Sequence, residues 1–236
     1  MRAAVIIPVF NERESLPLVL ADLPRDHVSE IIVVDNGSTD GTSSVVRDSA
    51  VTTVREERRG YGSACLAGIA ALESSRPDVV VFLDGDYSDH PEELPRLLDG
   101  IEQGADLVIG SRTLGSREPG ALLPQARFGN ALACSLIRLL LRHRYTDLGP
   151  FRAIRWEALQ RLEMADRDFG WTVEMQVKAV IEGLRIAEIP VSYRRRVGVS
   201  KITGTLSGTL RAGSKILRTI ARYGVFSSRG TRKAPR

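Results

Sequence analysis

The chain has 236 residues, 43% hydrophobic and 26% charged, with 33 Lys and Arg against 29 Asp and Glu and a formal net charge of +4. That length suffices for one α/β domain with a sizeable core. The composition excludes a fibrous, disordered or disulfide-stapled molecule, and no apolar run reaches the roughly 18 residues of a membrane span.

Strand and helix patterns alternate through the first half. Residues 3–7 form a short apolar run closed by Pro8, and residues 12–23 carry a helical pattern. Residues 31–34 read as a second buried strand. The stretch 35–42, Asp-Asn-Gly-Ser-Thr-Asp-Gly-Thr, is loop chemistry ending in a helix N-cap. A third strand at 51–54, a helix over 62–72 and a fourth strand at 79–83 follow. Pro91, Glu92 and Glu93 open another helix, with proline and acids in its first turn. A fifth strand covers 105–109. Such βα units predict a parallel sheet with helices on both faces.

The second half is less regular. It reads as a mobile loop over 115–124, a helix over 125–142, a strand at 151–154 with short helices after it, and a strand at 186–191. A flexible basic loop spans 198–204. A long helix over 206–226 places Leu206, Leu210, Leu217 and Ile220 on one face and Arg211, Lys215, Arg218 and Arg222 on the other. That pattern serves a helix packed on the domain or one lying on anionic lipid. Residues 227–236 read as a flexible basic tail. Neither a repeat nor a linker interrupts 1–226, so a single domain is expected, with halves 1–112 and 113–226.

Cys65 and Cys134 lack metal-like spacing and sit in apolar surroundings, which predicts buried free thiols in a reducing compartment. His27, His90 and His143 are scattered and suggest neither a metal cage nor a catalytic triad. Met1 and Arg2 lead directly into a strand pattern, without a secretory leader. The expected location is the cytoplasm, with any membrane contact peripheral and on the inner face.

The chemistry concentrates where strands end. Val79-Val80-Val81-Phe82-Leu83 runs into Asp84-Gly85-Asp86. Asp-Gly-Asp satisfies ordinary turn chemistry. At a strand's carboxyl end it also sets two hard oxygen donors at the mouth of a cleft, suited to Mg2+ or Mn2+ holding a phosphate. Three more loops follow strands in the same way: Pro8-Val9-Phe10-Asn11-Glu12, Asp35-Asn36-Gly37-Ser38 and Gly110-Ser111-Arg112. Four polar loops on one sheet edge exceed what turn chemistry asks for.

In this order, and with Arg59-Gly60-Tyr61-Gly62-Ser63-Ala64, Pro91-Glu92-Glu93-Leu94 and Phe151-Arg152-Ala153, these segments resemble the inverting family 2 glycosyltransferases of the GT-A fold. The similarity is greatest to the dolichyl-phosphate mannosyltransferase and polyprenyl-phosphate glycosyltransferase branch. The resemblance implies an α/β domain with a mostly parallel sheet, a Rossmann-like nucleotide half and an acceptor half. It also implies metal-dependent transfer from a UDP- or GDP-sugar to an acceptor such as a polyprenyl phosphate. Pro8, Val9, Glu12, Asp35, Asn36 and Gly62 would contact the nucleotide sugar. Asp84, Gly85 and Asp86 would form the metal-binding DxD segment, with Asp86 the more direct ligand. Arg112 would lie near the diphosphate, and Arg196, Ser200 and Lys201 would close over phosphate oxygens.

An inverting transfer needs a base unless the acceptor is already an anion. Asp147 and Glu174 are the candidates. The assignment stays open, because Pro150 stands where relatives carry a small or acidic residue, and Glu174 would serve equally as a structural acid. Asn36 replaces a second aspartate and would tune nucleotide contacts rather than bind metal. A sugar-1-phosphate nucleotidyltransferase is the competing enzyme class. It requires a glycine-rich basic loop after the first strand, which Pro8-Val9-Phe10-Asn11-Glu12 does not supply. A non-catalytic sugar-nucleotide-binding protein is the remaining alternative. Gly60-Tyr61-Gly62 imitates a dinucleotide fingerprint, but Cys65 occupies its third glycine. Nothing points to a nucleic-acid partner.

Overall fold

A computed structural model describes residues 1–46, 50–198, 218–220 and 222–223. Among them lie the strands β1 (Ala3–Val9), β2 (Glu30–Asp35), β3 (Val51–Arg55), β4 (Val79–Phe82), β5 (Leu107–Ser111), β6 (Arg152–Arg155) and β7 (Ile186–Pro190). The helices are α1 (Leu16–Asp22), α2 (Tyr61–Ala71), α3 (Leu94–Glu102), α4 (Pro124–Leu141), α5 (Trp156–Arg161) and α6 (Trp171–Ile181). The expected basic loop over 198–204, apart from Gly198, and the 227–236 tail lie outside the described residues. So does the 206–226 helix, except for 218–220 and 222–223, which are helical.

All seven strands join one sheet in the order β3-β2-β1-β4-β6-β5-β7. β1, β2, β3 and β4 are mutually parallel, and β5 pairs in parallel with β7. The sheet is mostly parallel, as expected, and β6 is its one exception among the described strands: it lies antiparallel between β4 and β5. The reason is topological. The chain leaves β5 at one edge of the sheet and re-enters at that same edge after α4, so β6 must run back. Two reversals restore direction, and β1, β2, β4 and β5 all end on one edge.

Central strands are apolar on both faces because both faces are covered. β1 and β4 are buried throughout, whereas β3, at the sheet's edge, is largely exposed after Val51. Successive side chains enter opposite cores. Ala4, Ile6, Ile32, Val80 and Phe82 pack with Trp171, Val173 and Ile137. Ala3, Val5, Ile7, Val79 and Val81 pack with Leu16, Val19, Leu94 and Leu97. Cys65 and Cys134 are both buried free thiols, as their apolar settings suggest.

Several boundaries shift for local reasons. β1 runs two residues past its expected end. The β1–β4 register stops at Ile6 opposite Phe82, so Pro8 lies where β4 no longer needs a partner. Helix α1 starts at Leu16 rather than 12, because Asn11 has φ 55° and residues 13–15 turn. Arg142, with φ 57°, ends α4 almost where the sequence pattern stops. Arg152 is fully buried at the head of β6 and donates to the carbonyls of Gly149 and Thr172, tying the 148–149 loop to α6.

Candidate active site

Just beyond β4 the chain must cross the end of β1. A Cβ at Gly85 would stand 2.5 Å from Val9 Cγ1, so glycine permits the crossing. Asp84 and Asp86 then flank the crossing point. The Tyr61 hydroxyl donates to Asp84 Oδ1 at 3.0 Å. Asp86 is buried; its Oδ1 accepts from Ser88 N at 3.0 Å and from the Ser88 hydroxyl. Arg196 Nη2 lies 2.9 Å from Asp86 Oδ2, and Val197 N donates to the Asp86 carbonyl at 3.0 Å. The strand-to-loop segment after β7 is thereby strapped across the two acids.

Burial, and next the negative charge of Asp86, push the Asp84 carboxyl up to about 6. A carboxyl raised in the folded state holds its proton more firmly there than in the unfolded chain. Its contribution favours folding below the unfolded value of 3.8 and is lost as pH rises through about 6. In metal-free protein, thermal melts should therefore show Asp84 lowering stability between about pH 4 and about pH 6. Asp84→Asn should flatten that slope; an unchanged slope would refute the assignment.

A cleft of ≈ 440 Å3 opens over these acids. Pro8, Val9, Glu12, Asn36, Asp84, Gly85, Asp86 and Arg196 line it, together with Phe10, Arg59, Tyr61, Asp168 and Phe169. The Arg59 guanidinium stacks over Phe10 at 3.9 Å, forming one wall. Asn36 spends its amide on the 56–60 turn: Nδ2 donates to Glu56 O and Arg58 O, and Oδ1 accepts from Gly60 N. It holds Arg59 and Tyr61 in place. Asp35 lies behind the lining and accepts from Ser38 N at 2.8 Å and from the Ser43 hydroxyl. Burial works against its charge, but those hydrogen bonds outweigh burial and hold the carboxyl below its ordinary value. Gly62 packs instead of lining: its Cβ position would meet Asp166 O at 2.1 Å. Ser200 and Lys201 lie outside the described residues.

Asp168 and Phe169 carry no sequence signal. Distant packing delivers them, through Gly60 and Gly62 against the 166–167 backbone and Ser63 N donating to Arg167 O at 3.0 Å. Asp89 likewise carries no sequence signal. Among the described residues, neither of its buried carboxylate oxygens has a hydrogen-bond partner, and burial pushes its pKa well up.

Arg112 and Asp147 form a separate buried pair. Arg112 Nε and Nη2 each donate to Asp147 at 2.8 Å, and Arg112 N adds a third bond at 2.8 Å. Leu148 N donates at 2.8 Å as well. Burial opposes the charge of Arg112, but Asp147 outweighs it and holds that proton more firmly than usual. Glu174 is equally enclosed, accepting from Ala165 N, Asp166 N and the Tyr223 hydroxyl and pairing with Lys178 at 2.9 Å. Both candidate bases are 0% exposed. Beside the Arg112 loop lies a second cavity of ≈ 510 Å3, lined by Thr113, Arg117, Arg127, Phe128, Asn130 and Thr146 among others.

Residues 4–162 match the family described as Glycosyl transferase family 2. Over 213 residues the chain is 39% identical to an uncharacterized glycosyltransferase of Mycobacterium tuberculosis, covering 88% of this chain and 93% of that one. It is 37% identical over 225 residues to an undecaprenyl-phosphate mannosyltransferase of Micrococcus luteus, with 88% and 90% covered. Glucosyl-3-phosphoglycerate synthase of M. tuberculosis, solved with Mn2+, UDP and glucosyl-3-phosphoglycerate, shares the fold. Its TM-score is 0.76 at 22% identity, over 95% of this chain and 80% of that one.

Proposed function

The chain belongs to glycosyl transferase family 2, and from that premise we propose that it transfers a sugar, with inversion, from a nucleoside diphosphate to a polyprenyl phosphate. One observation carries the acceptor half of this reading. Asp147 and Glu174 are fully buried and saturated with donors, so neither offers a lone pair to an incoming hydroxyl. A nucleophile that arrives ionised needs no base, and a lipid phosphate is such a nucleophile. The name of the Micrococcus luteus relative supports the same acceptor class.

The donor fits the ≈ 440 Å3 cleft. Phe10 and Arg59 would form a wall for the nucleobase, and Arg196 would exchange Asp86 for diphosphate oxygens. The acid pair suits a divalent cation. Burial, and next the charge of Asp86, already destabilise the Asp84 anion, and a bound cation would offset both. Among the described residues no third acid, cysteine or histidine completes a cage, which leaves positions for phosphate oxygens and water, as Mg2+ or Mn2+ requires. Mn2+ accompanies UDP in the solved synthase. When bound, the cation would offset charge on the departing nucleoside diphosphate. The acceptor phosphate fits the second cavity, where Arg117 and Arg127 supply two guanidinium groups.

A thermal-shift panel of UDP- and GDP-sugars, with and without Mn2+, identifies the donor, because a ligand of the folded state raises apparent stability. Transfer should then proceed with a short-chain polyprenyl phosphate and fail with the matching polyprenol. Comparable turnover on the alcohol would overturn the ionised-acceptor reading.

A further inference from the structure

Helix α4 has a second apolar face, turned away from the core. Leu114, Leu123, Phe128, Leu132, Leu139 and Leu140 are six of the nine exposed large hydrophobic residues among those described. Four of them lie on α4. At 100° per residue, Phe128, Leu132 and Leu139 fall within about 40° of one another. Asn130, Ala133, Cys134 and Ile137 form the opposite, buried face. Phe128 is 72% exposed and Leu139 75%. An apolar stripe of this kind marks a surface that is covered by something.

The charges beside the stripe indicate what covers it. Between Glu118 and Asp147 the sequence holds no acid, while Arg127, Arg138, Arg142 and Arg144 are all present and exposed. A second copy placed face to face would bring two such arginine sets together with no carboxylate between them. An apolar stripe on a segment that carries arginines and no acid instead matches a helix lying in the plane of an anionic bilayer.

We infer that the outward face of α4 docks on an anionic lipid surface, with Phe128, Leu132 and Leu139 entering the headgroup boundary and the arginines meeting lipid phosphates. None of these residues belongs to the 206–226 segment. Arg127 and Phe128 also line the second cavity, so docking brings that cavity's mouth to the lipid plane. That last consequence rests on the polyprenyl-phosphate reading; the docking does not.

The test is co-sedimentation of the full chain with phosphatidylcholine vesicles, with or without added phosphatidylglycerol. Binding should be at least about tenfold stronger on the anionic vesicles and should weaken with salt. Leu132→Ser with Leu139→Ser should lower it at least about tenfold. Arg138→Gln with Arg142→Gln should lower it on anionic vesicles alone. Both variants change exposed positions, so unaltered melting temperatures confirm that they fold. Equal binding to both vesicle types, no binding, or wild-type binding by either variant overturns the inference. So does a wild-type dimer in sedimentation equilibrium that the leucine variant converts to monomer. Transfer to a short-chain polyprenyl phosphate in detergent separates the two readings: it survives a failure of docking and is lost if the acceptor reading is wrong.

Discussion

Asp86→Asn is expected to lower the turnover number by about 10²–10³-fold or more, the scale of losing a central charge stabiliser in a preorganised site. The fold should persist. Asparagine keeps an oxygen to accept from Ser88 N and its hydroxyl, and the lost contact to Arg196 is partly exposed. Asp86 is buried, but Arg196 is 34% exposed, so its charge stays solvated when the pair is lost. Single-turnover kinetics beside a thermal melt check both halves of the expectation. Turnover within a few-fold of wild type would remove Asp86 from the cation and diphosphate machinery. Asp84→Asn should also lose activity, while leaving a partner for the Tyr61 hydroxyl.

Breaking the Arg112–Asp147 pair is expected to have the largest effect on stability. Asp147 is 0% exposed, and the guanidinium meets both of its oxygens. Arg112→Met leaves a buried carboxylate with only backbone donors. Such a loss costs about 3–5 kcal/mol, which lowers the melting temperature by on the order of 10 °C for a chain of this size. Asp147→Asn leaves the converse, a buried guanidinium facing a neutral amide. The double variant should be markedly more stable than the sum of the two single losses predicts. Urea unfolding of the four proteins measures the coupling, and simple additivity would show that the two groups act independently.

Much of the candidate site was legible because it is local. Val79-Val80-Val81-Phe82 can only be a buried strand, and the acids follow within four residues, so no long-range information is needed to put them at the sheet's edge. The pattern of α4 likewise carries its own boundaries, Pro124 at one end and Arg142 past the other. Asp147 and Glu174 illustrate the opposite case. Their residue types suit a base, but availability depends on burial and partners from 35 and 49 positions away, Arg112 and Tyr223. Asn36 lines the cleft, yet its amide is committed to the carbonyls of Glu56 and Arg58, which no local pattern announces. Asp168 and Phe169 reach the cleft only because two distant glycines let backbones touch. Residue type predicts chemistry; tertiary contacts decide whether a group is free to perform it.

The reversed strand β6 has a consequence for how the molecule is assembled. Among the described strands, it alone pairs with both the β3-β2-β1-β4 block and the β5-β7 pair. During synthesis, β4 and β5 both emerge well before residue 152 and cannot complete their pairing until it arrives. A nascent chain of this length therefore carries two raw, apolar strand edges, Val79-Val80-Val81-Phe82 and Leu107-Val108-Ile109, the kind of edge that recruits other chains. Pulse-labelled amide exchange during refolding should show the β4 and β5 amides that face β6 becoming protected together with those of β6, after the β1–β2 amides. The arrangement that gathers the two halves around one cleft also makes their union a late, non-local event.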